Sequence, residues 1–83
     1  MDLTETTTIR GIVIPSAWNE KWEVISVAIA TYNEGKYLVE DNIKGRQLLS
    51  LLRKRVVVNG ILTKRDTKKV IKVDYFQEDK SRV

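Results

Sequence analysis

Residues 35–62, GKYLVEDNIKGRQLLSLLRKRVVVNGIL, change hydrophobic period twice, and that double change decides the fold. Lys36-Tyr37-Leu38-Val39-Glu40 reads as a strand, with Tyr37 and Val39 turned inward because an unpaired Glu40 is costly to bury. Asp41 and Asn42 then offer N-cap oxygens. Leu48, Leu49, Leu51 and Leu52 fall at i, i+1, i+3 and i+4, which makes one apolar stripe on a short helix over 44–54. Val56-Val57-Val58 returns to a β-branched run that continues to about Lys64. Gly60, inside it, marks a bulge or a sharply coiled barrel strand.

Outward from this stretch, every other segment reads as a strand or a turn. Ile9, Ile12, Val13 and Ile14 form a β-branched run before Pro15, which has no N–H for a ladder and belongs at a strand end or a bulge. Val24–Tyr32 alternates, with Ile25, Val27, Ile29 and Thr31 on one face and Ser26, Ala28, Ala30 and Tyr32 on the other. Asn33-Glu34-Gly35 supplies a turn with glycine for a positive φ. The last strand, Lys69–Phe76, sets Ile71, Val73 and Tyr75 against Lys72 and Asp74, after a turn at Arg65–Lys68. The polar ends, 1–7 and 77–83, are expected to fray, leaving an ordered core of about 8–76 within one domain spanning 1–83.

The expected order is therefore β-β-β-α-β-β, mainly β. Together with Ile9-Arg10-Gly11-Ile12-Val13, Gly35-Lys36-Tyr37-Leu38-Val39 and Val56-Val57-Val58-Asn59-Gly60-Ile61-Leu62, it resembles the OB-fold superfamily. The resemblance is to small anticodon-binding and single-strand-binding domains. It implies a five-stranded Greek-key barrel with a helix between strands three and four. An Sm-type barrel would place its helix before strand one, where this chain is polar and helix-poor. Closure removes free strand edges, and a leucine-faced helix plugging one end lets so short a chain bury a core.

The 83 residues contain no cysteine and no histidine, which excludes a thiolate nucleophile, an imidazole base, a disulfide and a Cys/His zinc site. No glycine-rich phosphate loop or carboxylate cluster with metal spacing replaces them, so the chain is expected to be non-enzymatic, without metal or cofactor. The start lacks a basic segment followed by an apolar one, and no apolar run approaches the ~20 residues of a membrane span. A cytoplasmic protein with no membrane contact is the expectation.

Charge is divided unevenly along the chain. Residues 1–43 carry three basic against seven acidic side chains, net −4, whereas 44–72 carry ten against one, net +9. The last eleven residues bring the total to +4. An anionic partner is therefore expected at the helix and the closing hairpin, away from the first two strands. Oligonucleotide-binding OB-folds use the loop between strands four and five, the loop between strands one and two and the face of strands two and three. The resemblance places Lys64, Arg65, Lys68 and Lys69, with Lys72 beyond them, on the first of these, and Trp18 and Trp22 on the second.

Cations neutralise phosphates, and aromatic faces stack bases at ~1–3 kcal/mol each, so weak single-stranded nucleic-acid binding is the leading expectation. Trp22 would stack, with Trp18 and Tyr32 behind it. Three or four phosphate contacts would lower log K with log[salt] at a slope of roughly −2 to −3. Each feature also has a purely structural reading. Lysine-rich hairpin tips block edge pairing, Arg53, Lys54 and Arg55 complement a helix C-terminus, and Trp18 covers the barrel end. Glu20 and Glu23 would repel a phosphate backbone. The alternative function is a protein-interaction module or homodimer that uses the uncharged outer face of strand two, Ser26, Ala28 and Ala30.

Overall fold

The computed structural model describes residues 5–80. Five strands, β1 (Glu5–Trp18), β2 (Val24–Ala30), β3 (Lys36–Val39), β4 (Arg55–Arg65) and β5 (Lys68–Glu78), close into one barrel in the order β1-β2-β3-β5-β4. The β3–β5 pairing is parallel and the others are antiparallel. A short helix α1 (Ile43–Gln47), extended by a 3₁₀ turn over Leu48–Leu51, sits between β3 and β4. This is a mainly β, closed five-stranded barrel compatible with an OB-like fold.

The strands turn β-branched side chains inward at every second position. Ile9 and Val13 of β1, Val27 and Ile29 of β2, Val56 and Val58 of β4, and Ile71 and Val73 of β5 form the buried core. Tyr37 of β3 joins them, only 4% exposed, and Val39 packs against the cluster as its alternation requires. Leu48 closes one end of the barrel with no exposed surface, and Leu49, Leu51 and Leu52 lean on the core beside it. Among the described residues no polar or charged side chain is buried.

The helix is shorter than the leucine spacing predicts. Asn42 caps it by accepting from the Gly45 N–H at 2.7 Å, while Asp41 instead pairs with Arg46 at 2.8 Å. That hydrogen bond and the guanidinium charge hold the exposed Asp41 carboxyl below its ordinary value. Beyond Gln47 the backbone tightens to 3₁₀ geometry, which keeps Leu48 over the core, and the chain leaves at Leu52 in an extended conformation. Arg53 has a positive φ of 67°, and its N–H donates to the Val13 carbonyl at 2.7 Å. Arg53 and Lys54 therefore belong to a loop tied to β1, and Arg55 begins β4.

Other boundaries also move. β1 does not stop at Pro15, which pairs with Val27. The register then shifts between Pro15 and Ala17, so proline sits beside a bulge and the strand continues to Trp18. A second shift places Asn59 opposite Tyr75 but Gly60 opposite Val73, so Asp74 is the extra residue on β5. As a result Phe76, not Tyr75, packs on the core, and Tyr75 is exposed. Backbone pairing also outlasts the apolar pattern at both ends. Thr6 and Thr7 pair with Ile61 and Gly60, and the Asp79 N–H bonds the Arg55 carbonyl at 2.8 Å. The expected fraying of 1–4 and 81–83 lies outside the described residues.

Candidate functional site

A groove of about 400 Å³ lies on the outer face, lined by Ser16, Lys36, Leu38, Thr67, Lys68 and Lys69. The fold draws these residues from three places. Ser16 comes from the β1 bulge, Lys36 and Leu38 from the outward positions of β3, and Thr67–Lys69 from the tight β4–β5 hairpin. Asp66 takes a positive φ of 56° to make that hairpin turn, a conformation that aspartate tolerates better than most side chains. Leu38 gives the groove an apolar side chain beside two exposed lysines, Lys36 and Lys68, and no carboxylate lines it.

Lys69 is already engaged. Its Nζ donates to the Glu34 carbonyl and sits 4.5 Å from the centroid of the Tyr37 ring. It therefore fastens the Thr31–Gly35 turn to the barrel. That turn is closed from within. The Thr31 hydroxyl donates to the Gly35 carbonyl at 2.7 Å and accepts from the Glu34 N–H at 3.0 Å. Gly35 has φ +77° as the sequence predicts, and Tyr32 projects from the turn 75% exposed.

The two tryptophans share the β1–β2 hairpin and line an open concavity with Asn19–Glu23. Asn19 organises this loop. Its Oδ1 accepts from the N–H groups of Lys21 and Glu23 at 2.8 and 3.0 Å, and its Nδ2 donates to Glu23 Oε1 at 3.0 Å. The Glu23 carboxylate is thus used inside the loop. Trp22, at φ +62°, is held 82% exposed. Trp18 is 48% exposed and lies outside the core cluster, so it does not cover the barrel end as the sequence suggests. Ser16 lies two residues before Trp18 on β1, about 7 Å of strand, so the groove adjoins the tryptophan hairpin.

Of the residues singled out by sequence, Lys68 and Lys69 reach the groove and Trp18 and Trp22 form the neighbouring hairpin. Tyr32, Lys64, Arg65 and Lys72 do not line it. Arg65 lies 3.6 Å from Glu40, Lys64 faces Lys69 across the hairpin, and Lys72 is exposed opposite Ile61. Lys36 and Ser16 were missed. The alternation that turns Tyr37 inward necessarily turns Lys36 outward, and this was the signal for it. The small outer face of β2 offers less open surface than its composition suggests. Ala28 is fully buried between its register neighbours Ile14 and Leu38.

Among the described residues no group of acidic side chains is placed to hold a metal ion, and no helix is long and apolar enough to cross a membrane. No protein-family model, curated protein or solved structure matches this chain.

Proposed function

We propose that this chain is a non-enzymatic OB-type module that binds single-stranded nucleic acid weakly. The observation that carries the proposal is the groove itself, where the apolar Leu38 lies beside the exposed Lys36 and Lys68, with no carboxylate in its lining. A base can lie flat on Leu38 while the flanking phosphates meet lysine, and the Ser16 and Thr67 hydroxyls can donate to phosphate oxygens. Trp22, exposed on the adjoining hairpin, extends the stacking surface. Relative to the sequence expectation, the partner moves onto the β3 face and Lys36 replaces Lys69 as a phosphate contact.

Titrating a short oligothymidylate against tryptophan fluorescence over a salt series tests the proposal. Two phosphate contacts on a single strand give a slope of about −1.4 in log K against log[salt], and Lys36→Gln with Lys68→Gln flattens it. Absence of quenching or of an anisotropy change at low salt would sink the proposal.

A further inference from the structure

We infer that a bound strand does not end in the groove but crosses the outer face of β2 and β1 to a second cationic anchor, Arg10 and Arg55, on the β1–β4 side of the barrel. This rests on the single-strand reading above and deepens it by fixing the path and the length of strand engaged.

The path follows from register. Lys36 pairs with Ala30, Ala30 with Ile12, and Ile12 with Arg55, so these four residues form one row across β3, β2, β1 and β4. All four face outward, since their neighbours Tyr37, Ile29, Val13 and Val56 are buried inward. Three strand spacings of about 4.8 Å make the path from Lys36 to Arg55 about 14 Å long, measured around the curved outer surface of the closed barrel. Between them lie only Ile12 and Ala30, two half-buried apolar side chains on which base faces can rest. Arg10, paired with Val57, is the diagonal neighbour of Arg55 on the same face, within reach of it for side chains of this length.

The arginines have no other employment. Among the described residues, the exposed side chains of Arg10, Arg53 and Arg55 make no ion pair or hydrogen bond, whereas Lys54 between them is 3.9 Å from Glu78. The role that the sequence suggests for Arg53, Lys54 and Arg55, complementing a helix C-terminus, is unavailable. α1 ends at Gln47, and the 3₁₀ turn after it has no basic residue in its last turn. Instead, the bond from the Arg53 N–H to the Val13 carbonyl, with the Val13 N–H donating to the Lys54 carbonyl at 3.1 Å, draws the arginine loop against β1. An unpaired arginine cluster raises the local positive potential, and the row from Lys36 aims at it.

Fluorescence anisotropy with the full chain and labelled oligothymidylates of two and about twelve nucleotides tests the path, the first too short to join the two anchors and the second within the range of site sizes for single OB barrels. Arg10→Gln/Arg55→Gln should leave the short oligomer's affinity unchanged, weaken the long one roughly tenfold or more at low salt, and flatten its salt slope by about 1.4. On the unaltered protein, the long oligomer alone should shift the amide resonances of Arg10, Ile12 and Arg55, a readout that needs no variant to fold. Unchanged affinity of the double variant for the long oligomer, or still resonances at these positions, overturns the second anchor while leaving the groove standing. No binding of either oligomer by the unaltered protein overturns the groove reading and the path together. Loss of binding at both lengths in the arginine variant, with Lys36→Gln/Lys68→Gln without effect, places binding at the arginines alone and refutes a continuous path.

Discussion

Gly60→Ala tests how tightly the barrel is drawn closed. A Cβ at this position would lie 2.2 Å from the Lys72 carbonyl oxygen and 2.9 Å from its carbon, with Ile71 Cγ1 at 3.1 Å. Contacts below 3.0 Å are essentially never observed, so β5 must retreat by 0.8 Å at the point where it carries the Asp74 bulge. The obstructing atoms belong to backbone in a continuous ladder, and cannot swing aside as a side-chain tip can. Overpacking of this kind costs ~1–3 kcal/mol, and the backbone obstruction argues for the upper part of the range. The stiffer unfolded chain returns ~0.4–1 kcal/mol, leaving about 2 kcal/mol of destabilisation. For a domain of this size, that lowers the melting temperature by roughly 8–16 °C. Circular dichroism against temperature and urea measures both quantities. Gly35→Ala is the contrasting control, because its φ of +77° strains any L side chain while the nearest atom, Lys69 Nζ, is 4.0 Å away. Asparagine tolerates that conformation, so Gly35→Asn should recover most of the loss, and Gly60→Asn should recover none. A Gly60→Ala protein that melts at or above the unaltered chain would refute the close β4–β5 approach.

Leu48→Ala, removing a wholly buried plug, should cost ~2–5 kcal/mol and lower the melting temperature by at least about 8 °C. Loss of Ile43, 76% exposed on the same helix, should cost less than ~0.5 kcal/mol in the same melt. Lys68→Gln and Lys69→Gln should separate two roles. The first should leave stability within ~0.5 kcal/mol and flatten the oligonucleotide salt slope by about 0.7. The second should lower stability by ~1–2 kcal/mol, because it loses both the Glu34 carbonyl bond and the Tyr37 ring contact. Trp22→Asn should raise stability slightly, since asparagine accepts φ +62° more readily, and should weaken oligonucleotide binding by ~1–3 kcal/mol in an anisotropy titration.

Where a periodic signal was long, the sequence was enough. Alternation in 24–30 and 36–39 placed Val27, Ile29 and Tyr37 in the core, and the change of period after Glu40 located the helix. The misreadings share one cause, which is that bulges and 3₁₀ turns break the count on which periodicity depends. Unbroken alternation from Ile71 puts Tyr75 on the face of Ile71 and Val73, and a single extra residue at Asp74 reverses it. The leucine stripe implied α-helix to residue 54, although Leu48 needs only one tight turn to reach the core. A strand one that stops at Pro15 predicts Trp18 as a barrel cover. Once the bulge lets that strand continue, the ring is carried out onto a hairpin.

Charge was legible in amount and misleading in place, for a topological reason. A closed barrel sets distant segments side by side, so an acidic first half and a basic second half do not become two sides of the molecule. β1 pairs with β4 along eight positions, which brings Arg10 from the acidic half next to Arg55 from the basic one. In the same way Glu40 meets Arg65 and the Glu34 carbonyl receives Lys69, while Asp41 meets Arg46 locally at the helix start, so part of the +9 segment is engaged by the −4 segment. Three cations outside these pairs each have an apolar neighbour on one side. Lys36 lies beside Ala30, Arg55 beside Ile12 and Arg10 beside Val57. Cross-strand register thus sets Lys36 at the groove and Arg55 at the far end of one outward row that crosses β2 and β1, with Arg10 beside it.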